Sequence, residues 1–222
     1  MTELKFGVVT IGYAPREDFA QAFSVLRDYG WNVHQYGALN EIEDPQVVEP
    51  DADTRVSYVS AGLNGREVRL DKAKLLPFLE KVCEQASSEC HKVALACTGD
   101  FTGLLSEKSV ITPVALLKEK LGDQEVGRLA VVVPEAQQFE ESRIKWQSIL
   151  SPAEINIFAH SPYSSTEASV ELAARVGTKN PSLVVLDCMG YPGKLAETLE
   201  QHLSIPVVCP QRDIVQFVIE GL

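Results

Sequence analysis

Residues 183–188 read Leu183-Val184-Val185-Leu186-Asp187-Cys188, a short and mostly branched apolar run that ends in two polar residues. A run of this kind between the helical patterns of 166–176 and 193–203 is typical of a strand buried in a parallel sheet. Residues 92–97, Lys92-Val93-Ala94-Leu95-Ala96-Cys97, form a second short apolar run that ends in a cysteine. Both runs predict an α/β protein.

The same alternation of strands and helices extends outward along the whole chain. Predicted strands cover 6–11, 31–36, 92–97, 128–133, 154–159, 183–188 and 205–209. Predicted helices cover 17–29, 71–86, 135–150, 166–176, 193–203 and 212–221, and a further helix begins at Thr112-Pro113. Residues 55–59 and 67–70 flank Asn64-Gly65, which favours a hairpin, and 40–54 is predicted to be a loop.

These elements predict two α/β lobes that meet near residues 105–115, with mostly parallel sheets covered by helices on both faces. We expect lobe 1 to comprise 1–111, joined by a C-terminal helix at 211–222, and lobe 2 to comprise 112–210. Ligands of open α/β sheets bind beyond the carboxyl ends of the strands. The active cleft is therefore expected between the two lobes.

The composition excludes several classes of protein. The 222 residues carry a formal net charge of -11, so nucleic acid and anionic membrane surfaces are not expected partners. No apolar run is long enough to span a bilayer and no signal peptide begins the chain, so we expect a cytoplasmic protein. The five cysteines form no CxxC pair and no Cys/His cluster with metal spacing, which argues against a disulfide framework and a metal site.

Two of the cysteines lie in matched contexts. Leu95-Ala96-Cys97-Thr98-Gly99 and Leu186-Asp187-Cys188-Met189-Gly190 share the pattern Leu-x-Cys-x-Gly, each at a predicted strand end. If the lobes are equivalent and face each other, one thiolate could remove a proton from carbon while the other thiol returns a proton on the opposite face. This chemistry requires no metal or organic cofactor. A buried cysteine taken alone is more often a small core residue.

Other residues at predicted strand ends are candidate substrate contacts. Thr10 and Thr98 could donate to a carboxylate, although threonine at a strand end more often caps locally. Arg16 could pair with a carboxylate bidentately or lie on the surface. Packing or helix capping could equally explain the remaining candidates. They are Gly12, Tyr13, Gly99, Glu135, His160, Met189, Gly190 and Tyr191.

Four stretches resemble the AroM-like family. They are Val9-Thr10-Ile11-Gly12-Tyr13-Ala14-Pro15-Arg16-Glu17-Asp18, Asn64-Gly65-Arg66-Glu67-Val68, Ala96-Cys97-Thr98-Gly99 and Leu186-Asp187-Cys188-Met189-Gly190-Tyr191. The similarity covers essentially the whole chain and implies membership of the aspartate/glutamate/hydantoin racemase superfamily. That resemblance implies two pseudo-symmetric Rossmann-like (flavodoxin-like) lobes and cofactor-independent acid–base chemistry, usually from two cysteines.

One residue departs from the superfamily pattern. Asp187 stands where hydantoin racemases carry a glycine before the second cysteine. A carboxylate beside a thiol disfavours the thiolate, so Asp187 could keep Cys188 protonated as the proton donor.

The expected function is a cofactor-independent racemase or isomerase that acts on a small carboxylate-bearing carbon acid, such as an amino acid or a derivative. Two alternatives stay open. One is a non-catalytic small-molecule-binding or regulatory protein on the racemase scaffold. The other is a single-cysteine decarboxylase or cis–trans isomerase of a diacid. The expected partner is the small ligand, and a homodimer is left open.

Overall fold

The computed structural model describes residues 3–54, 56–62, 67–101, 110–122 and 124–221. The chain divides into two compact units, one formed by Met1–Ala115 with Ile214–Leu222 and the other by Leu116–Asp213. Each unit contains a four-stranded sheet in which all strand pairs are parallel. The α/β fold with mostly parallel sheets is confirmed. Within the described ranges, no helix combines the length and the apolar character that crossing a membrane demands.

The first unit consists of a four-stranded sheet, the helices that cover it and a separate hairpin. In chain order it contains β1 (Leu4–Thr10), α1 (Glu17–Ala22), β2 (Trp31–Gly37), β3 (Ser57–Ala61), β4 (Glu67–Asp71), α2 (Lys72–Glu89), β5 (Lys92–Leu95) and β6 (Val110–Ile111). The sheet order is β2-β1-β5-β6, and β3 and β4 pair antiparallel as a separate ribbon. The core forms where α2 packs on the sheet, with Val9, Leu75, Leu79 and Leu95 fully buried.

The second unit repeats this sheet order. Helix α3 (Pro113–Leu121) precedes it, and the elements that follow are β7 (Arg128–Val133), α4 (Phe139–Leu150), β8 (Glu154–Ala159), α5 (Thr166–Gly177), β9 (Leu183–Leu186), α6 (Gly193–Leu203) and β10 (Val207–Val208). The last helix, α7 (Pro210–Glu220), begins in the second unit and belongs to the first from Ile214 onward. The sheet order of the second unit is β8-β7-β9-β10. In both sheets the first strand along the chain therefore lies between the second and the third, and the fourth lies outside the third.

Several predicted boundaries are confirmed by local contacts. Asp71 caps α2, and its carboxylate accepts a hydrogen bond from the Lys74 amide at 3.0 Å. Thr112 caps α3 through a bond from the Ala115 amide to Oγ1 at 3.3 Å. The predicted Asn64-Gly65 turn, Arg55 and residues 105–109 of the predicted lobe junction lie outside the described residues.

Other predicted boundaries were wrong in detail. The predicted helix over 17–29 is α1 followed by a 3-10 helix at Ser24–Tyr29, which Gly30 ends with a left-handed φ of 82°. The predicted strands over 92–97 and 183–188 stop two residues early, because the chain turns at the glycines that follow each cysteine. The predicted strand over 205–209 is only Val207–Val208, and a 3-10 turn at Pro45–Val48 interrupts the predicted loop.

Candidate active site

The thiol of Cys97 lies just beyond the carboxyl end of β5 in the first unit. The Ala96 amide donates to the carbonyl of Val9 at 2.7 Å, which extends the β1–β5 pairing by one residue. The chain then turns, and the Gly99 amide donates to Cys97 Sγ at 3.4 Å. Cys97 is 8% exposed. A backbone N–H directed at sulfur favours the thiolate over the thiol, so this turn suits a cysteine that exchanges a proton.

The thiol of Cys188 occupies the equivalent position in the second unit. The Asp187 amide donates to the carbonyl of Val132 at 2.8 Å, one residue beyond the β7–β9 pairing. The Gly190 amide then donates to Cys188 Sγ at 3.3 Å. Cys188 is half-buried. The shared Leu-x-Cys-x-Gly pattern thus has one backbone geometry in both units.

The carboxylate of Asp187 belongs to a buried network on α4. It accepts hydrogen bonds from Ser142 Oγ at 2.9 Å, Lys145 Nζ at 2.5 Å and Trp146 Nε1 at 2.8 Å. Successive residues of an extended chain point to opposite faces, so Asp187 is directed at α4 while Cys188 packs with the cluster on the other face. The Lys145 ammonium balances the carboxylate charge. This pairing offsets the charge of Asp187, and a role for Asp187 in keeping Cys188 protonated stays a prediction.

Two buried side chains hold the turn after Cys188. Tyr191 is fully buried, and its hydroxyl donates to the carbonyl of His160 at 2.6 Å. Burial, reinforced by Cys188 and Asp187, raises the pKa of Tyr191 well above its usual value, so the phenol stays a neutral donor. Gln211 Nε2, at the start of α7, donates to the carbonyl of Met189 at 2.6 Å. The turn is therefore anchored from β8 and from α7.

His160 follows β8 and borders a depression beside the Cys188 turn. Its ring stacks on Tyr191, with 6.5 Å between centroids and 19° between planes. Burial and then the charge of Arg175 lower the pKa of His160, which favours the neutral imidazole. The depression is lined by His160, Pro162, Ser164, Thr166, Ser169, Pro192, Lys194, Leu195 and Thr198. A Cβ on Gly190 would lie 3.3 Å from Pro162, so the depression adjoins the Cys188 turn.

The loop after β1 is held by hydrogen bonds between side chains and the backbone. Thr10 is buried, and its Oγ1 accepts from the Gly12 amide at 3.3 Å. Asn40 bonds both backbone groups of Ala14, accepting from N at 3.0 Å and donating to O at 2.8 Å. The side chain of Gln35 likewise accepts from the Arg16 amide at 2.8 Å and donates to the Arg16 carbonyl at 2.9 Å. The Thr10–Gly12 turn is thereby held at the carboxyl edge of the sheet.

Three predicted contacts have local partners. The Arg16 guanidinium pairs with the Asp18 carboxylate and lies 4.1 Å from the centroid of the Phe19 ring. Glu135 forms a capping box with Gln138, which opens the 3-10 turn Ala136–Gln138. Tyr13 packs against the core of the first unit. A substrate role for each of the three stays a prediction.

The predicted site residues therefore fall into two groups, one in each unit. At the ends of β1 and β5 the first unit holds Thr10, Gly12, Tyr13, Arg16, Cys97, Thr98 and Gly99. At the ends of β7, β8 and β9 the second unit holds Glu135, His160, Cys188, Met189, Gly190 and Tyr191. Within the described parts of the chain, no group of three or more His, Cys, Asp or Glu side chains is arranged to hold a metal ion.

Sequence reasoning missed the polar residues that support these turns. Asn40, Gln211 and the Lys145 network act across long separations in sequence, and no periodic pattern marks them. Tyr58 and Ser60 of β3, which lie against Gly99 and Gly12, had a usable signal. The alternation of the predicted strand places both on one face of the hairpin.

Comparison with solved structures shows a common fold. Allantoin racemase from Klebsiella pneumoniae matches with a TM-score of 0.67 and 14% identity over 99% of this chain and 87% of that chain. Glutamate racemase from Francisella tularensis in complex with D-glutamate matches with a TM-score of 0.61 and 12% identity, over 99% of this chain and 81% of that chain. Maleate cis-trans isomerase from Nocardia farcinica with a covalently bound succinylcysteine intermediate matches with a TM-score of 0.65 and 12% identity, over 98% of this chain and 92% of that chain.

Sequence comparison identifies the family. No curated protein is similar enough in sequence to match this chain. The sequence profile of the AroM protein family, in contrast, matches residues 6–222, nearly the whole chain. This match shows that the chain belongs to the AroM family.

Proposed function

We propose that this chain is a cofactor-independent racemase or isomerase that moves protons to and from carbon in a small carboxylate-bearing substrate. The observation that carries the proposal is the matched geometry of the two thiols. Each accepts the amide of the glycine two residues on, at 3.4 Å for Cys97 and 3.3 Å for Cys188. Groups that exchange the roles of acid and base need similar proton affinities, and the shared contact with a glycine amide acts on both thiols in the same direction.

The proposed reaction assigns one proton to each thiol. The Cys97 thiolate takes the proton from the carbon next to the carboxylate, becomes a thiol and leaves the electron pair on the substrate. The Cys188 thiol gives its proton to the opposite face of that carbon and becomes the thiolate. The reverse reaction exchanges the roles. Donors at the strand ends, such as Thr10 and the turn amides, stabilise the charge that develops on the carboxylate.

The similarity in fold to allantoin racemase and glutamate racemase supports this reaction class. It also guides the choice of test compounds. Allantoin and both enantiomers of glutamate are the first candidates, followed by hydantoins and other amino acids that carry an acidic proton on carbon.

The direct test is the exchange of the substrate carbon-bound proton for deuterium in D2O, followed by NMR or mass spectrometry. Cys97→Ser and Cys188→Ser should each slow racemisation by at least about 100-fold. Cys90→Ser is the matched control, because Cys90 is also half-buried but contacts Tyr36 at 3.3 Å instead of a glycine turn. Exchange that survives both substitutions would contradict the proposal.

A second candidate is single-cysteine chemistry on an unsaturated diacid. It is favoured by the difference between the two turns, since only Cys188 follows a buried charged network. In this reaction a thiolate adds to the carbon–carbon double bond, the new single bond rotates, and the thiolate is expelled to give the other isomer. The succinylcysteine in the maleate cis-trans isomerase structure supports this chemistry on the shared fold.

Incubation with maleate separates the candidates. Formation of fumarate, with a succinyl adduct seen by intact-protein mass spectrometry, would favour the single-cysteine reaction. In that case one of the two Cys→Ser variants should lose activity and the other should keep most of it. Thermal stabilisation by a carboxylate that is never turned over would instead favour the non-catalytic binder.

A further inference from the structure

The hairpin of β3 and β4 covers the carboxyl edge of the first sheet with two buried side chains. Tyr58 and Ser60 are 6% and 1% exposed, while their neighbours on β3 are only partly buried. Side chains two residues apart on a strand point to the same face, about 7 Å apart. Tyr58 and Ser60 therefore form the inner face of the hairpin.

This inner face lies against the two glycine turns of the first unit. A Cβ on Gly99, beside Cys97, would lie 2.6 Å from the Cζ and Oη atoms of Tyr58. A Cβ on Gly12, beside Thr10, would lie 2.1 Å from Oγ of Ser60. Both distances are shorter than any ordinary van der Waals contact, so a side chain at either glycine would force the hairpin side chain to shift. The hairpin thus closes over the ends of β1 and β5 together.

The hydroxyl of Ser60 has no hydrogen-bond partner among the described residues. Buried hydroxyls nearly always have one, because an unmet hydrogen bond is unfavourable away from water. The backbone of Gly12 does not supply it, since its amide bonds Thr10 and its carbonyl accepts from the Leu39 amide at 3.1 Å. An unpartnered buried hydroxyl at the strand edge that holds Cys97 points to a ligand atom as its partner.

We propose that Ser60 contacts the substrate and donates a hydrogen bond to its carboxylate at the end of β1. The inference deepens the proposed function and rests on it, because it concerns the ligand of the same Cys97 site. A hydroxyl that donates to a carboxylate makes a stronger bond than one that donates to a neutral amide. Ser60 therefore selects ligands that carry a carboxylate close to the reacting carbon.

Alkylation of Cys97 tests this selection without any turnover. Iodoacetate and iodoacetamide are the probes, because they have the same size and the same reacting carbon but differ in carboxylate and amide. In both, the thiolate displaces iodide. The rate at Cys97 is measured by peptide mass spectrometry, and Cys90 of the same protein serves as the internal reference for intrinsic reactivity.

In the wild-type protein, iodoacetate should be preferred at Cys97 relative to Cys90. Ser60→Ala should lower that preference by about tenfold, the effect of one hydrogen bond to a charged acceptor. Ser57→Ala, at the start of the same strand and outside the buried pair, should leave it unchanged. A wild-type protein without the preference, or a Ser60→Ala protein that retains it, would overturn the proposal.

Thermal unfolding distinguishes a structural role. Ser60→Ala should unfold at the same or a higher temperature than wild type, because it removes an unmet hydroxyl. A lower unfolding temperature with an unchanged probe preference would assign Ser60 to the fold alone. If Ser60→Ala does not fold, Ser60→Cys replaces it, because a thiol is of similar size but a weaker hydrogen-bond donor. Its effect is measured by the same preference for iodoacetate at Cys97.

The two proposals can fail separately. Suppose that Ser60→Ala loses the iodoacetate preference and the wild-type protein shows no deuterium exchange. That result would support the contact between Ser60 and a carboxylate and would contradict the proposed racemase activity.

Discussion

The Cys97 turn and the Cys188 turn share one backbone and differ in what surrounds it. Each follows the third strand of a sheet with the same strand order, and each directs a glycine amide at sulfur. The residue before the cysteine is Ala96 in one turn and Asp187 in the other. The hairpin with Tyr58 covers the first turn, whereas a tyrosine of its own chain segment, Tyr191, supports the second.

This comparison shows that the repeated fold fixes where the thiols lie, while non-repeated side chains set their environment. The first turn depends on steric fit between the hairpin and Gly99. The second depends on polar contacts from α4, β8 and α7. Substitutions that remove one kind of support should therefore affect the two turns very differently.

The largest expected effect is at the charged network. Asp187→Ala removes the acceptor that Ser142, Lys145 and Trp146 share in a buried network, and should lower the free energy of unfolding by about 3 kcal/mol. Urea denaturation followed by tryptophan fluorescence measures it. Asp187→Asn keeps an acceptor oxygen and should cost less. If both variants are as stable as wild type, the network does not support the second turn.

Steric fit predicts an unequal response of the two glycines. Gly99→Ala places a methyl group 2.6 Å from the ring of Tyr58 and should cost about 2 kcal/mol of unfolding free energy. Gly190→Ala meets Pro162 at 3.3 Å, which a small shift relieves, and should cost less than about 1 kcal/mol. Urea midpoints compare them. Equal costs would show that the hairpin is not seated on the first turn. In a Tyr58→Ala background the cost of Gly99→Ala should fall but not vanish, because the added Cβ would still lie 2.8 Å from Phe101.

A smaller effect is expected where α7 holds the second turn. Gln211→Ala leaves the carbonyl of Met189 unpaired in a buried position and should cost about 1.5 kcal/mol. Gln216→Ala, on the exposed side of the same helix, is the control and should change stability very little. Thermal unfolding measures both. The assignment fails if the two variants have the same unfolding temperature.

The smallest effect concerns pH. The lowered pKa of His160 means that the folded protein binds this proton more weakly than the unfolded chain, whose histidines titrate near pH 6.5. Stability should therefore fall as the pH drops below about 6.5 and level off below the pKa of the folded state. His160→Gln should reduce this loss, as measured by urea midpoints at pH 8 and pH 5. An unchanged pH dependence would show that His160 does not contribute.

The sequence predicts the fold well because the fold follows from periodic patterns. Runs such as Leu183–Leu186 and the amphipathic stretch at Gly193–Leu203 carry a strong local signal, and the matched cysteine motif locates both turns. Helix ends marked by Asp71 and Thr112 are also predicted, since a cap depends on a neighbouring residue in the chain.

The supports of the two turns could not be predicted in the same way. Gln211 and Asn40 act through single hydrogen bonds between residues far apart in sequence, and a lone polar residue carries no sign of its partner. The partners of the Asp187 carboxylate on α4 are 41 to 45 residues away in sequence. Alternation along the strand would have directed the carboxylate to the opposite face, where Lys145 lies.

The division of the chain into two units also bears on the order in which the two turns can form. The second unit is continuous, from Leu116 to Asp213, whereas the first is completed by Ile214–Leu222, where the carbonyl of Gly221 accepts a hydrogen bond from Lys92 at 3.2 Å. The strand pair beside Cys97 joins Val9 to Leu95, a longer loop to close than the one from Val132 to Leu186 beside Cys188. During synthesis, the first unit therefore depends on residues that are made after the second unit.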